Sequence, residues 1–282
     1  MIRRAPGRQQ AMLKNTLGPL ALAALTLCLA IPSRAQSVSD IISAELLPGW
    51  TTPSGTQMTA IRLTLSRDWK TYWRSPGDAG IPPTFNWAGS ENIRALQLHW
   101  PTPEVFHFNG MQTIGYAREL VLPIEVWPDH KGQPIRLKAE VDLGVCRDIC
   151  VPATLTLASD LQAARKTDNP TIRAALKARP ATAREAGVRS HRCTVSAVAG
   201  GLRVRAEIDM VALGPDEVVV IETANPSVWV SEATTRRDGS RLVAETDLVA
   251  HDRKPFALDR SGLTISVLAQ GRAVELSGCP AP

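Results

Sequence analysis

The sequence predicts an all-β protein with two immunoglobulin-like antiparallel β-sandwich domains joined by a short helical linker. Short runs that alternate between apolar and polar residues are typical of strands with one buried face, and four such runs occupy residues 42–47, 58–65, 120–126 and 135–143. The alternation returns after an interruption, at residues 193–198, 202–208, 242–246 and 263–268. Frequent turn residues separate the runs, which indicates sandwiches rather than a helical fold.

The first 35 residues are typical of a signal peptide. Basic residues lead into an apolar run at residues 17–31, and Ser33-Arg34-Ala35 supplies small residues at a cleavage site before Gln36. The apolar run is shorter than the roughly 20 residues of a membrane span. Cys28 follows Leu27, so the small residue expected before a lipidated cysteine is missing. We therefore expect secretion without an anchor, and a retained N-terminal anchor stays as the alternative.

The charge balance excludes one class of partner. Five of the 32 basic residues and none of the 27 acidic ones lie in residues 1–35, so the remainder carries 27 of each and no net charge. No later basic cluster is interleaved with aromatic residues. The sequence therefore gives no indication of nucleic-acid binding, and the absence of later long apolar runs predicts no stable membrane insertion.

Domain boundaries follow from a change in composition between the two sets of strands. We expect a first domain at residues 36–160, a linker at 161–190 and a second domain at 191–282. Asn169 is predicted to cap a helix that has Pro170 at its first position, runs over residues 171–179 and ends at Pro180.

Four cysteines remain after the signal segment, which suggests two disulfides in an exported protein. Cys193 opens the second domain and Cys279 closes it, so we predict a structural disulfide between them, worth roughly 4 kcal/mol for a loop of this length. Cys146 and Cys150 are then left for each other.

The spacing of Cys146 and Cys150 requires a turn. In a straight strand their α-carbons would lie roughly 13 Å apart, whereas a disulfide needs roughly 4.4–6.8 Å. Arg147-Asp148 is the predicted tip. We interpret the pair as a redox-active dithiol. A structural clip and a site for Cu(I) or Zn remain alternatives, the latter with His99, His107 or Met111 as further ligands. Thioredoxin-type catalysis is disfavoured because there is no Cys-x-x-Cys.

Residues 103–110 are predicted to form a loop that carries two of the four phenylalanines of the chain, Phe106 and Phe108. The loop either anchors itself in the core or acts as a hydrophobic lid over a reactive sulfur pair. The residues alone leave both interpretations open.

Several motifs together resemble one known family. They are DWKTYWRSPGD at 68–78, WPTP at 100–103, FNG at 108–110, IGY at 114–116, Leu122-Pro123 and GVCRDICVP at 144–152. Residues 37–160 resemble the N-terminal periplasmic domain of the DsbD/ScsB thiol-disulfide reductases of Gram-negative bacteria. The second domain, with Gly-Cys-Pro near its end, is similar to the extension of the ScsB-like branch.

The resemblance implies a periplasmic thiol-disulfide oxidoreductase without cofactor or metal. By this likeness Cys146 and Cys150 are the catalytic pair, Cys150 meets partners, and Phe108, Asn109 and Gly110 form the cap loop. The best-known members space these cysteines more widely and continue into a membrane domain. We therefore expect a module that works in trans, taking electrons from a membrane thiol-disulfide reductase or thioredoxin-like periplasmic proteins. A copper-binding or copper-tolerance protein and a non-catalytic adaptor are the alternatives.

Overall fold

A computed structural model describes residues 37–77, 79–108, 110–161 and 168–282, with only the backbone of Phe108. The predicted signal peptide lies outside the described residues. Residues Ser37–Pro282 form one compact unit built almost entirely of antiparallel β-sheets, which confirms the predicted fold class.

The first sandwich contains a four-stranded and a six-stranded sheet. In the first sheet the order is β1-β2-β8-β5, with β1 at Ile42–Thr51, β2 at Gln57–Leu65, β5 at Ala95–Leu98 and β8 at Glu119–Trp127. In the second sheet the order is β10-β9-β3-β7-β6, and β4 also pairs with β9. Its strands are β3 at Lys70–Tyr72, β4 at Thr84–Asn86, β6 at Glu104–Phe108, β7 at Met111–Ala117, β9 at Ile135–Cys146 and β10 at Cys150–Leu161.

Strand alternation builds the core between these sheets. Along β9 the odd-numbered residues from Ile135 to Val145 are buried, whereas the even-numbered residues up to Asp142 are more exposed. The odd-numbered side chains therefore face the core and the even-numbered ones face the outer side of the sheet.

Two helices flank the first sandwich. Helix α1 covers Val38–Ile41 and leads directly into β1. Helix α2 covers Pro170–Lys177, and the Asn169 side chain accepts hydrogen bonds from the N–H groups of Thr171 and Ile172, as the sequence predicts. The helix buries Ile172 against an apolar cluster that includes Trp50.

The second sandwich is built from the remaining strands. Its sheets have the orders β11-β19-β18-β14 and β12-β13-β17-β15, and β16 pairs with β17. The strands are β11 at Ala181–Thr182, β12 at Ser190–Val198, β13 at Gly201–Asp209, β14 at Val218–Thr223, β15 at Val228–Val230, β16 at Thr234–Asp238, β17 at Arg241–Ala250, β18 at Leu263–Ala269 and β19 at Arg272–Ser277. Among the described strands only β11 and β19 pair in parallel.

A disulfide joins Cys193 to Cys279, with their α-carbons 5.5 Å apart. Both residues are buried in the apolar core of the second sandwich. The bond thereby connects strand β12 to the segment that follows β19.

The two sandwiches are in direct contact. Leu268 and Ala273 belong to the same apolar cluster as the core of the first sandwich. At the same junction the Arg74 guanidinium lies 2.9 Å from a carboxylate oxygen of Glu222 and 2.6 Å from one of Glu275. Burial alone would lower the pKa of Arg74, but hydrogen bonds and charges from both glutamates outweigh it and raise the pKa.

One predicted loop is instead mostly strand. Residues 104–108 form β6, which pairs with β7 in a register that places Phe106 opposite Thr113 and Phe108 opposite Met111. An Asn-Gly pair between alternating segments is typical of a hairpin turn, and Gly110 has a φ of 79° as such a turn requires.

Candidate functional site

The β9–β10 hairpin brings Cys146 and Cys150 together. Cys146 ends β9, Cys150 begins β10, and a disulfide joins them with their α-carbons 4.1 Å apart. Residues 147–149 form the turn, within which the Arg147 N–H donates to the Ile149 carbonyl at 3.1 Å. The turn is therefore placed at the predicted tip.

The disulfide lies on the outer face of the six-stranded sheet, because Cys146 continues the even-numbered series of β9. Its two halves differ in exposure. Cys146 is 2% exposed, whereas Cys150 is an exposed residue. A reagent or partner therefore reaches Cys150 first.

A loop approaches the sheet beside the cysteines. The side chain of Ile81 packs over Gly144, and a β-carbon on Gly144 would lie 2.9 Å from the Cβ of Ile81. Gly144 is two residues from Cys146 on the same face. The absence of a side chain there lets this loop lie close to the disulfide.

Tyr72 supplies a polar contact to the sulfur pair. Its hydroxyl lies 3.5 Å from the Sγ atom of Cys150, although Tyr72 is 2% exposed. Burial raises the pKa of the Tyr72 phenol, so the hydroxyl keeps its proton around neutral pH. The O–H group can then donate to a Cys150 thiolate when the disulfide is reduced.

Lys70 adds a positive charge on the adjacent strand. It pairs with Cys146 in the β3–β9 register, and its ammonium donates to Thr113 Oγ1 at 3.0 Å and lies 4.9 Å from the centre of the Phe106 ring. Burial lowers the pKa of Lys70. Phe106 is thus an aromatic residue of this face.

The turn presents both charge and apolar surface. The Arg147 guanidinium lies 5.2 Å from the centre of the Trp69 ring, and its Nε atom is 3.0 Å from Asp148 Oδ2. Between these residues and Cys150 stands Ile149, which is 69% exposed. Ile149 therefore places an exposed apolar side chain directly beside the exposed Cys150.

The proposed cap residues are only partly described. The backbone of Phe108 ends β6, Asn109 lies outside the described residues, and Gly110 occupies the exposed turn. Their role as a cap remains a prediction.

The described residues contain no group of three or more His, Cys, Asp or Glu residues arranged to hold a metal ion. His99, one candidate ligand, lies against the four-stranded sheet, where its backbone N–H bonds to the Pro123 carbonyl and its Nε2 atom is 3.4 Å from Glu125 Oε2. No helix in the described part of the chain is long and apolar enough to cross a membrane.

Sequence reasoning identified the two cysteines but missed Tyr72 and Lys70. The signal available was the motif KTY at residues 70–72, in which alternate residues share a strand face. Which face they occupy depends on pairing with β9, which lies more than 70 positions later along the chain. The hydrogen bond between Thr71 and Gly144, for example, joins residues 73 positions apart.

Comparisons with known proteins cover both sandwiches. Residues 43–161 match the family described as "Thiol:disulfide interchange protein DsbD, N-terminal". A solved structure, the N-terminal periplasmic domain of ScsB from Proteus mirabilis, is 20% identical with a TM-score of 0.61, over 88% of this chain and 96% of that chain. The fold is therefore shared with that domain.

A second solved structure, a protein of unknown function from Porphyromonas gingivalis W83, is 12% identical over 84% of this chain and 99% of that chain. Its TM-score of 0.20 is too low to indicate a common fold. No curated protein sequence matches the chain.

Proposed function

We propose that this chain is a periplasmic thiol-disulfide interchange module. The match of residues 43–161 to the DsbD N-terminal domain family supports the proposal. The Cys146–Cys150 pair carries electrons from a separate membrane reductase or thioredoxin-like protein to oxidised periplasmic proteins. The observation that carries the proposal is the asymmetric disulfide at the sheet surface, with Cys150 exposed, Cys146 buried and a protonated hydroxyl 3.5 Å from Cys150 Sγ.

The exposed sulfur starts the reaction. In the reduced pair the Cys150 thiolate attacks one sulfur of a substrate disulfide, so a Cys150–substrate disulfide forms and the substrate bond breaks. The released substrate thiolate takes a proton from water. Tyr72 supports this step because its O–H stabilises the attacking thiolate.

The buried sulfur completes the reaction. The Cys146 thiolate attacks Cys150 Sγ, which forms the intramolecular disulfide and releases the second substrate thiolate. Two electrons have then passed from the pair to the substrate. A dithiol of the donor protein reverses these steps on the Cys146–Cys150 disulfide and restores the reduced pair.

The second disulfide has a different role in this proposal. Cys193 and Cys279 are 0% and 2% exposed, and they lie in the core of the second sandwich. Neither sulfur is accessible to a partner, so this bond is structural.

Trapping of the mixed disulfide tests the proposed function. A reduced Cys146→Ser variant, mixed with a disulfide-bonded protein such as insulin, should accumulate a covalent complex through Cys150, because the resolving sulfur is missing. The matched Cys150→Ser variant should form little complex because Cys146 is buried. Non-reducing electrophoresis and mass spectrometry give the readout. No complex with either variant would contradict the interchange function, and a complex only with Cys150→Ser would reverse the assigned roles.

A further inference from the structure

Strand β10 is an edge strand, and its first residue is the exposed Cys150. It lies at the end of the six-stranded sheet and pairs with β9 over its full length of 12 residues. No described strand pairs with the other side of β10, although β1 of the facing sheet lies close to it and places Pro48 and Gly49 beside Ser159–Leu161. The position of its backbone polar groups therefore decides what this edge can bind.

The even-numbered residues of β10 direct their N–H and C=O groups toward the open edge. The Cys146 and Cys150 α-carbons are 4.1 Å apart, which is typical of a directly opposite pair without mutual backbone hydrogen bonds. Such pairs alternate with hydrogen-bonded ones, so in β10 the odd-numbered residues bond to β9.

Contacts on the far side of β9 give the same result. The Gly144 carbonyl accepts from Thr71 Oγ1 at 3.0 Å, and the Lys138 N–H donates to Ser90 Oγ at 2.9 Å. Both even-numbered residues thus direct backbone groups away from β10. Their partners in β10, Pro152 and Ala158, lie opposite them in the register and direct theirs outward.

The outward groups of Cys150, Thr154, Thr156 and Ala158 make no hydrogen bond to any described residue. Pro152 has no N–H to donate and occupies an outward position, where proline is tolerated in a sheet. The backbone groups of this edge between Cys150 and Ala158 are therefore unpaired among the described residues, with one donor missing at Pro152.

Protein edges of this length are usually protected by charges, prolines or bulges. Strand β1, the long edge of the four-stranded sheet, contains Glu45, Pro48 and a register shift between Leu47 and Trp50. Strand β10 has no charged residue from Cys150 to Ser159 and a continuous register. It is consequently the less protected of the two.

We propose that an extended segment of the oxidised substrate protein adds to this edge as a strand antiparallel to β10, with its cysteine directly opposite Cys150. In a hydrogen-bonded antiparallel pair the α-carbons lie about 5.5 Å apart and the side chains share a face. That distance falls within the roughly 4.4–6.8 Å of a disulfide, so the mixed disulfide forms without moving either backbone. The inference rests on the proposed interchange function and specifies how its substrate is held.

The antiparallel direction predicts which side of the substrate cysteine takes part in recognition. Because β10 runs onward from Cys150, only the residues that precede the substrate cysteine can pair with Pro152 and Thr154. Recognition thus depends on the backbone on the N-terminal side of that cysteine, and not on a particular side chain.

Peptide mixed disulfides with thionitrobenzoate test this prediction, because attack by the reduced protein releases the coloured thiolate. A short Thr/Val peptide extended on the N-terminal side of its cysteine should react about tenfold faster than one extended on the C-terminal side, since each hydrogen bond contributes about a few-fold. N-methylation of the amide that donates to the Thr154 carbonyl should remove much of the advantage. Equal rates for the two peptides, or a faster C-terminal extension, would overturn the proposal.

A matched pair of variants tests the same edge from the protein side. Thr154→Pro removes the outward N–H, whereas Thr154→Val keeps it, and both lose the Thr154 Oγ1 hydrogen bond to Asp142. With the N-terminally extended peptide, Thr154→Pro should react about fivefold more slowly than Thr154→Val. Equal rates would count against strand addition.

The small mixed disulfide of glutathione with thionitrobenzoate separates the two proposals. Both variants should react with it at the wild-type rate because it is too short to pair with Thr154. If the wild-type protein reacts with neither glutathione nor peptide probe, the interchange function itself fails. If it reacts with both equally, only strand addition fails.

Discussion

Replacement of Tyr72 by phenylalanine removes the only side-chain hydroxyl that contacts Cys150 among the described residues and leaves the ring in place. The hydroxyl lies 3.5 Å from Cys150 Sγ, and burial raises the pKa of the phenol. The phenol therefore keeps its proton at least up to its ordinary pKa. Its loss removes a donor from the thiolate and disfavours the charged form of Cys150.

The magnitude follows from the strength of that hydrogen bond. A bond to a charged group contributes about 1.5–3 kcal/mol when buried. Cys150 is exposed and sulfur is a weak acceptor, so we expect about 1 kcal/mol, or about a fivefold smaller thiolate fraction at a pH where the thiol is mostly protonated.

Alkylation by iodoacetamide in a Cys146→Ser background measures the thiolate directly. The Tyr72→Phe rate should be about fivefold lower at mildly acidic pH and should approach the parent rate at alkaline pH, where every thiol is ionised. Tyr116→Phe is the control, because its hydroxyl bonds to the Pro101 carbonyl instead. Identical pH profiles for Tyr72→Phe and its parent would refute the role of the hydroxyl.

Three further substitutions address the cap, the junction and the second sandwich. Phe108→Ala should speed alkylation of the reduced cysteines if this residue covers them, as measured by mass spectrometry of quenched samples. Arg74→Gln should lower the free energy of unfolding by about 1 kcal/mol in urea titrations, because two carboxylates lose a half-buried guanidinium. Replacement of Cys193 and Cys279 by alanine should cost about 4 kcal/mol by the same measurement, since their bond closes a loop with a separation of 86 residues.

For each of these substitutions, one outcome would contradict the expected role of the residue. An unchanged alkylation rate in Phe108→Ala would leave that side chain without a covering role. Added salt should shrink the effect of Arg74→Gln only modestly, because this ion pair is partly buried, and an effect that grows with salt would exclude an electrostatic origin. Loss of thiol-disulfide exchange at Cys146 and Cys150 in the folded double alanine variant would show that the second disulfide is more than structural.

Local features of the chain were readable from the sequence. The helix start at Asn169-Pro170 depends on adjacent residues. The turn between Cys146 and Cys150 follows from the short distance between α-carbons that a disulfide requires. Strand alternation also predicted the sandwich class, because its period of two depends only on neighbouring residues.

Features that depend on distant pairing were not readable. Tyr72 meets Cys150 across 78 positions, and Arg74 meets Glu275 across 201. These contacts follow from strand register, which no local pattern specifies in a single sequence. The β6–β7 hairpin is a different case, because its strands are adjacent along the chain and Gly110, with its positive φ, is a local signal for the turn between them.

Equilibration of the protein with glutathione redox buffers, followed by mass counting of the thiols at Cys146 and Cys150, tests the redox function most directly. We expect this pair to exchange and to be partly reduced within the range set by glutathione, while Cys193 and Cys279 stay oxidised. Structural disulfides have potentials below about −300 mV. A Cys146–Cys150 bond that stays fully oxidised at such potentials would contradict the proposed electron transfer.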